Sequence, residues 1–290
     1  FAGDTVVEQL LFVGRDRPLK LGYVANGFAT NTVSVFLNNG SGTFGTAVAY
    51  TVGSQGNNDV DVADVNGDGR PDIIVAKDQF NREIDVLSNI GNGVFSAAVA
   101  YPLAQSASSV VAADLNNDGF IDLAVSEGGS RNQILLNNGS GTFAIQAAFN
   151  NGFFSANDIE VADVDNDGDS DLVTAAFGSQ ISLFINNGAA SFQGPFGFTA
   201  GGFNQDMALA DFNRDGRVDL VAATGLGAST VQVALNRGLP PNFAVFNISL
   251  NAPSAVPVTV RYATGGGSAV PAPRARGGPA EFVGRWRCDR

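Results

Sequence analysis

Apolar residues in this chain occur in short runs that are separated by polar, glycine-rich segments. In one typical stretch, residues 60–63 lead into an acidic segment, and residues 73–76 leave it as a continuous apolar run. A short run of this kind is typical of a strand that is buried on both faces. A third run covers residues 84–87, and an Asn-Gly pair at 92–93 predicts a tight turn before a fourth strand at 95–101. The pattern therefore predicts four successive short strands.

This four-strand pattern repeats along the chain. The acidic segments begin at Asp64, Asp114, Asp163 and Asp211, which lie 50, 49 and 48 residues apart. A four-stranded sheet that repeats at a near-constant interval is typical of β-propeller blades, because one sheet alone cannot bury both of its faces. An N-terminal unit at about residues 5–52 lacks the acidic segment, which gives five units in total. The predicted fold class is therefore all-β, a β-propeller of four-stranded blades with about five repeat units.

The four acidic segments share one arrangement of oxygen-bearing side chains. Asp or Asn occupies positions 1, 3 and 5, Gly occupies position 6, and Asp occupies position 9. Side chains at alternate positions converge on one point and glycine permits a sharp turn, so this spacing predicts a loop around a hard cation. Position 7 varies freely, which favours a backbone carbonyl ligand there. The candidate ligands are Asp64, Asn66, Asp68, Arg70 and Asp72; Asp114, Asn116, Asp118, Phe120 and Asp122; Asp163, Asp165, Asp167, Asp169 and Asp171; and Asp211, Asn213, Asp215, Arg217 and Asp219.

The donor types favour Ca²⁺, at about four ions per chain, because all donors are oxygen and Mg²⁺ demands a tighter octahedral site. The loops are not EF-hands, since position 12 is Val75, Val125, Thr174 or Ala222 instead of Glu. They contain 14 of the 28 acidic residues, so four bound ions would change the net charge from −12 to −4. Without ions, the clustered carboxylates would repel one another. Solvated aspartate turns without metal are the alternative interpretation.

Two further sets of residues recur in step with these loops. One Phe follows each tight turn, and we expect it in the core between blades; the set is Phe44, Phe95, Phe143 and Phe192. Acidic residues also precede the loops, where either support of the metal ligands or plain surface solvation would explain them. This second set is Asp59, Asp61, Asp158, Glu160 and Asp206.

The composition excludes several classes of function. The chain has no His, which excludes Ser-His-Asp catalysis and imidazole zinc sites, and its only cysteine, Cys288, cannot form an intrachain disulfide. The net charge of −12 disfavours nucleic acid as a partner. No apolar run reaches the roughly 18 residues that membrane insertion requires. Carboxylates outside the loops, such as Glu83, Asp85 and Glu127, are scattered, so we expect no enzymatic activity.

The chain resembles the FG-GAP/VCBS repeat family. The resemblance covers about residues 20–243 and depends on the D-x-[ND]-x-D-G-x-x-D loops, the apolar strands after them and the N-G…F turns. It implies a propeller similar to that of integrin α-subunits, with Ca²⁺ loops between the first two strands of a blade. In that family Asp64, Asn66, Asp68, Asp72 and their counterparts would be ligands. Members often have roughly seven blades, so a truncated propeller is an open alternative.

The C-terminal part carries a second resemblance. Residues 243–269 resemble part of a Calx-beta module, a β-sandwich that occurs beside such repeats in secreted bacterial proteins. The predicted organisation is therefore a propeller at 1–242, Calx-beta-like strands or completion of the last blade at 243–270, and a disordered or non-native tail at 271–290. Five arginines and several Pro and Gly residues fall in or beside that tail.

These features together predict a calcium-binding, extracellular β-propeller module for protein or glycan interaction or adhesion. The ions would have a structural role in the loops between strands, and the protein would be secreted or displayed on the surface of a bacterium. The ligand is an unknown protein or glycan. A carbohydrate-binding lectin propeller and a polysaccharide-active enzyme domain are the alternatives.

Overall fold

The computed structural model of the chain describes thirteen ranges of residues: 7–12, 21–26, 31–38, 43–53, 56–77, 82–152, 156–176, 180–199, 203–225, 230–238, 243–249, 260–262 and 280–282. Every regular element within these ranges is a β-strand. The chain therefore confirms the predicted all-β class.

The strands, numbered in chain order, form five main sheets that we call blades 1 to 5. Blade 1 contains β1 (Val7–Phe12), β2 (Leu21–Asn26), β3 (Thr32–Leu37) and β4 (Val48–Thr51). Blade 2 contains β5 (Asn57–Ala63), β6 (Asp72–Lys77), β7 (Glu83–Leu87) and β10 (Val99–Pro102), with a small hairpin of β8 (Asn89–Gly91) and β9 (Val94–Phe95). Blade 3 contains β11 (Ala107–Ala113), β12 (Asp122–Glu127), β13 (Arg131–Asn137), β14 (Phe143–Ile145) and β15 (Phe149–Asn150).

The two remaining blades have the same order of strands. Blade 4 contains β16 (Ala156–Ala162), β17 (Asp171–Ala176), β18 (Gln180–Asn186) and β19 (Phe192–Thr199). Blade 5 contains β20 (Phe203–Ala210), β21 (Asp219–Gly225), β22 (Thr230–Asn236) and β23 (Phe243–Ser249). A separate two-stranded sheet joins β24 (Val260–Tyr262) and β25 (Ala280–Phe282). The pairing within every blade is antiparallel, so each blade is an up-and-down sheet of the kind that builds β-propellers.

The hydrophobic core lies between consecutive blades. The second strand of a blade is its most buried element: every residue of β6, β12 and β17 is buried, which confirms the expected burial on both faces. Alternate residues of β6 point to opposite neighbours, since Ile73 packs with Val33 of blade 1 and Ile74 packs with Val125 of blade 3. Equivalent clusters join blades 3 and 4 and blades 4 and 5.

The turn phenylalanines have two different environments. Phe95 and Phe143 are buried and meet Tyr50 and Tyr101 of the preceding blade edge-to-face, at ring-centroid distances of 5.4 and 5.2 Å. Phe192 is partly buried in the core between blades 3 and 4. Phe44 is 39% exposed, so the prediction of a core position is wrong there. It forms an isolated bridge with Asn38 at the edge of blade 1 and is not part of a strand between two blades.

The fourth strand of blade 2 differs from its prediction at 95–101. Asn92 and Gly93 both have positive φ, 56° and 73°, and this tight turn closes the hairpin of β8 and β9. Phe95 therefore belongs to the hairpin, and the chain pairs with β7 only from Val99 onward. The turn chemistry separates one predicted strand into two short ones.

The predicted domain boundary at residue 242 falls immediately before β23. This strand pairs with β22 along its whole length: Phe243 lies opposite Asn236 and Ser249 lies opposite Thr230. It therefore forms the fourth strand of blade 5. Residues 250–259 and 263–279, which include most of the predicted Calx-beta-like segment, lie outside the described residues, as does most of the predicted tail. Within that tail, Ala280–Phe282 pairs with Val260–Tyr262.

The core between blades 2 and 3 gives a test of this packing. Replacing the fully buried Ile74 by Ala should lower the free energy of unfolding by about 2–5 kcal/mol, because it leaves a cavity between two sheets. The matched control is Ile90→Ala, since Ile90 is 63% exposed and should cost less than about 0.5 kcal/mol. Urea denaturation would measure both, and equal effects of the two variants would contradict the arrangement of blades.

Candidate metal centres

Four loops connect the first and second strands of blades 2 to 5. We call them loop 2 (64–72), loop 3 (114–122), loop 4 (163–171) and loop 5 (211–219), after the blade that carries each. Each loop begins directly after the first strand of its blade, which we call the inner strand. Position 9 of the loop is the first residue of the second strand. The strand pairs therefore hold both ends of every loop.

All four loops follow the same backbone path. Position 6 is Gly in each, with φ between 81° and 95°; these residues are Gly69, Gly119, Gly168 and Gly216. Position 4 is also left-handed, with φ between 58° and 74°, and it is occupied by Gly67, Asn117, Asn166 and Arg214. Two left-handed residues in three reverse the chain sharply, and only Gly and Asn adopt this conformation at low cost. This path places the side chains of positions 1, 3 and 5 on the inside of the loop.

Backbone N–H groups hold the inward carboxylates in place. In loop 4, Asp163 accepts hydrogen bonds from the N–H of Asp167 and of Gly168, both at 3.0 Å. Asp165 accepts from the same Asp167 N–H at 3.2 Å, and Asp167 accepts from the N–H of Asp169 at 2.9 Å. Loops 2, 3 and 5 contain the same four bonds. Each carboxylate oxygen keeps a further lone pair that a cation could use.

The aspartate at position 9 anchors the loop to the rest of its blade. Asp171 is fully buried, and its two oxygens accept from the N–H of Val164 at 2.9 Å and of Asn186 at 2.8 Å. Asp72, Asp122 and Asp219 make the equivalent pairs of bonds. Burial, with a smaller contribution from the carboxylates of Asp165 and Asp167, raises the pKa of Asp171 to about 6. One residue thus ties the start of the loop to the end of the third strand.

Loop 4 brings three carboxylates to one point. Oxygens of Asp163, Asp165 and Asp171 lie within 4.8 Å of one another. Burial and the neighbouring Asp167 also raise the pKa of Asp165, which shows that negative charge is concentrated in this loop. An all-oxygen set of this kind fits a hard divalent cation such as Ca²⁺. The other loops have an Asn oxygen at position 3, from Asn66, Asn116 and Asn213, and so carry fewer carboxylates.

The side chains at position 7 differ from loop to loop in what they contact. Arg70 donates from Nε to the carbonyl of Asn89 at 2.7 Å and pairs with Asp68. Arg217 pairs with Asp215 at 3.6 Å. The ring of Phe120 lies against the Gly139 turn, and Asp169 accepts from Asn117 Nδ2 at 2.7 Å. A role for these residues as ligands therefore depends on their main-chain carbonyls and stays a prediction.

Sequence analysis missed four asparagines that complete the loops. Their N–H groups donate to the position 9 aspartates, and their side-chain amides donate to main-chain carbonyls of the loops. These residues are Asn89, Asn137, Asn186 and Asn236. The signal was available in blades 3 to 5, where Asn137, Asn186 and Asn236 each end the third strand just before a turn; Asn89 instead begins the hairpin of blade 2.

The acidic residues before the loops have a role that neither interpretation foresaw. The inner strand lies at one edge of its sheet and pairs only with the second strand. The N–H groups on its other side therefore have no partner strand. Asp59 accepts from the N–H of Val110 at 2.9 Å, and Asp61 accepts from the N–H of Ala112 at 2.8 Å. One blade further on, Asp158 accepts from the N–H of Met207 at 2.8 Å. Each carboxylate therefore satisfies the edge of the next blade.

Two acids of the inner strands share the hydroxyl of Ser109. The Ser109 hydroxyl oxygen lies 2.6 Å from Asp59 Oδ2 and 3.3 Å from Asp158 Oδ1. A hydroxyl has one proton, so it donates to one of these oxygens, and the other contact is favourable when that carboxyl is protonated. Burial first, and then Glu160, Asp206 and Asp59, raise the pKa of Asp158 well above its ordinary value. The fold therefore favours the protonated form of Asp158.

The carboxylates considered for catalysis lie outside the loops, two in β7 of blade 2 and one in β12 of blade 3. Asp85 lies in β7 of blade 2, where burial and then the charge of Glu83 raise its pKa and the charge of Lys77 lowers it. Glu127 lies in β12 of blade 3, where its Oε2 is 3.2 Å from Arg131 Nε. No described helix is long and apolar enough to cross a membrane.

Repeated blades with acidic loops between their first two strands define a class of propeller repeat. The model for the FG-GAP-like repeat matches residues 23–75, 64–125, 114–174 and 163–222, so the chain belongs to this family. No curated protein matches the chain.

Two solved structures resemble the fold. BBS1N in complex with ARL6DN, in crystals soaked with lead, is 12% identical with a TM-score of 0.54 over 90% of this chain and 74% of that chain. The mercury-soaked crystal of the same complex is 14% identical with a TM-score of 0.51 over 91% of this chain and 74% of that chain. This similarity concerns the fold alone.

The protonated group predicts a specific dependence of stability on pH. The pKa is raised for Asp158, for Asp61 to about 6 and for Glu160 to about 7, with burial as the main cause. The folded protein therefore holds protons that the unfolded chain releases at lower pH, so the free energy of unfolding should fall from pH 4 towards pH 7. Asp158→Asn imitates the protonated acid and should be more stable than the wild type at pH 8, by on the order of 1 kcal/mol.

Thermal melts between pH 4 and 8 in chelator would measure this difference. Near pH 4 the two proteins should be similar, because the wild-type carboxyl is protonated there. Glu281→Gln removes one negative charge from β25, outside the five blades, and serves as the control with an unchanged pH profile. If Asp158→Asn were less stable than the wild type at every pH, Asp158 would be ionised in the folded protein.

Proposed function

We propose that this chain is an extracellular, calcium-stabilised β-propeller module that binds a protein partner. The observation that carries the calcium assignment is the fourfold recurrence of one loop geometry, with three carboxylates of loop 4 within 4.8 Å of one another. Calcium accepts the varied geometry of carboxylate, amide and carbonyl oxygens that such a loop offers. The ions would hold each loop closed between two strands, which is a structural role.

Charge supports occupancy of the loops. The chain has a net charge of −12, and half of its acidic residues lie in the four loops. Carboxylates that are held a few ångströms apart repel one another unless a cation or a proton neutralises them. Millimolar calcium outside cells would fill loops of moderate affinity, and this supports an extracellular location.

The loops differ in charge and therefore in expected affinity. Loop 4 has aspartate at positions 1, 3, 5, 7 and 9. In loops 2 and 5 an arginine at position 7 pairs with the aspartate at position 5, so the ion must compete with a guanidinium. Because the affinity of oxygen loops rises with the number of ligand charges, loop 4 should bind calcium most tightly.

Two observations favour a protein partner over a glycan. The chain has one Trp and four Tyr, which are the side chains that usually stack against sugars. Tyr50 and Tyr101 are already engaged, because their rings pack on Phe95 and Phe143 and their hydroxyls donate to the carbonyls of Gly93 and Gly141. The solved neighbour BBS1N forms a complex with a protein, ARL6DN, which shows that this fold can present a protein-binding surface.

Removal of calcium should destabilise the protein strongly. Addition of excess Ca²⁺ to chelated protein should raise Tm by roughly 10 °C or more, because a ligand at a hundredfold excess over its Kd contributes about 2.7 kcal/mol per site. Differential scanning calorimetry would measure this shift. Mg²⁺ at the same concentration should have a much smaller effect, and this comparison separates specific binding from ionic strength.

Single-loop variants serve as matched controls for that experiment. Asp163→Ala and Asp64→Ala each remove the position 1 ligand of one loop, so calorimetric titration should find three sites in place of four. Asp163→Ala should remove the tightest site, and Asp64→Ala should remove a weaker one. The absence of calcium uptake by folded, metal-free protein would overturn the proposed function.

A glycan array would test the class of partner. Calcium-loaded protein should show no saturable binding to any sugar class, because the rings of Tyr50 and Tyr101 are committed to contacts with Phe95 and Phe143. A calcium-dependent signal on one glycan class would identify a lectin instead. The same array probed in chelator controls for nonspecific adsorption.

A further inference from the structure

We propose that neighbouring calcium loops are coupled, so that an ion in one loop promotes binding in the next. Asn137, Asn186 and Asn236 are the positioning residues that join each loop to the one before it. The inference rests on the proposed function, because it concerns how the same four loops fill. It adds a property that a set of independent loops would not have.

The first link is a buried amide that bridges two loops. Asn186 Nδ2 donates to the carbonyl of Leu115, at position 2 of loop 3, at 2.8 Å. The same nitrogen donates to the carbonyl of Ser170, at position 8 of loop 4, at 2.9 Å. Both protons of this amide are used, one on each loop. Ala190 N–H reinforces the link, because it donates to the same Leu115 carbonyl at 2.9 Å.

The bridge recurs between the other loops. Asn137 Nδ2 donates to Val65 of loop 2 at 2.7 Å and to Ile121 of loop 3 at 2.8 Å. Asn236 Nδ2 donates to Val164 of loop 4 at 2.8 Å, and the Asn236 backbone N–H makes the link to loop 5 by donating to Asp219 at 2.8 Å. The three asparagines are buried, so solvent cannot easily replace these bonds.

A second link joins some neighbours directly across the surface. Asn117, at position 4 of loop 3, donates from Nδ2 to Asp169 of loop 4 at 2.7 Å. Asn166, at the same position of loop 4, donates to the carbonyl of Gly216 in loop 5 at 3.1 Å. Position 4 of loop 2 is Gly67, which has no side chain to offer. Loops 3 and 4, and loops 4 and 5, therefore have both links, whereas loops 2 and 3 have only the bridge.

The bridged atoms are adjacent in the chain to the candidate ligands. The position 2 carbonyl lies between ligand positions 1 and 3, and the position 8 carbonyl directly precedes the aspartate at position 9. An ion that orders one loop therefore also orders the main-chain carbonyl that accepts from the bridging asparagine. The same asparagine bonds to the neighbouring loop. The neighbouring loop then loses less conformational entropy when the second ion binds. The second ion binds more tightly for this reason, which is positive coupling.

Two double variants, each with two intact loops, test this coupling. Asp64→Ala with Asp211→Ala leaves the adjacent loops 3 and 4. Asp114→Ala with Asp211→Ala leaves the separated loops 2 and 4. Calorimetric titration with CaCl₂ should show a second ion that binds about fivefold or more tightly than the first in the adjacent pair, and independent binding in the separated pair.

Asparagine variants in the adjacent-pair background then locate the coupling. Asn186→Ala and Asn117→Gly should each reduce the coupling severalfold, and glycine keeps the left-handed backbone of position 4, as Gly67 does in loop 2. Asn89→Ala is the matched control, because Asn89 donates to Pro71 of its own loop 2 and the first repeat unit has no acidic loop. This control should leave the coupling between loops 3 and 4 unchanged. If Asn186→Ala failed to fold, the surface variant Asn117→Gly would decide.

The outcomes separate the two proposals. Calcium uptake with no difference between the adjacent and separated pairs would overturn the coupling and leave the calcium assignment standing. Coupling that survives both asparagine variants would overturn the role of these side chains. An absence of uptake in the intact protein and in both pairs would overturn the proposed function, and the coupling with it.

Discussion

The structure depends on the way each blade satisfies the polar edge and the apolar faces of its neighbour. A four-stranded sheet has two faces to bury and an inner edge with unpaired N–H groups, and it cannot satisfy either alone. Apolar residues of adjacent blades cover the faces. Carboxylates such as Asp59 and Asp158 accept from the inner edge of the next blade. No blade is therefore complete without the one beside it.

The acidic loops are part of the same system of contacts. Asp171 binds the N–H groups of a loop residue and of the third strand, while Asn186 in that strand bonds to the preceding loop. A candidate metal ligand is thus only a few atoms away from the interface between two blades. Because of this arrangement, an ion that closed a loop would also stabilise the packing of one sheet on another, which is the physical basis of the structural role proposed for the metal.

Much of the fold could be predicted from local patterns, and the remainder depends on contacts between repeats. The period, the second strand of each blade and the loop spacing are all encoded within one repeat. The bonds of Asp59 and Asn137 could not be predicted, because their partners are main-chain groups that lie 51 and 72 residues away. Phe44 was predicted wrongly for a related reason: its motif is intact, but its place at the edge of blade 1 leaves it exposed. Single-repeat patterns therefore specify a blade better than they specify its surroundings.

Ser109 has a consequence for how such a protein could evolve. It occupies the place where blades 2, 4 and 5 carry Asp59, Asp158 and Asp206, and it lies between two of those acids. An aspartate there would set four acids side by side on the first strands of four successive blades. Gene duplication that copied an acidic repeat into this position would therefore introduce electrostatic conflict, even though every strand would still pair correctly. The repeats are alike in shape but not interchangeable in order. Recombination among them is constrained by the acids of the inner strands as well as by the hydrophobic core.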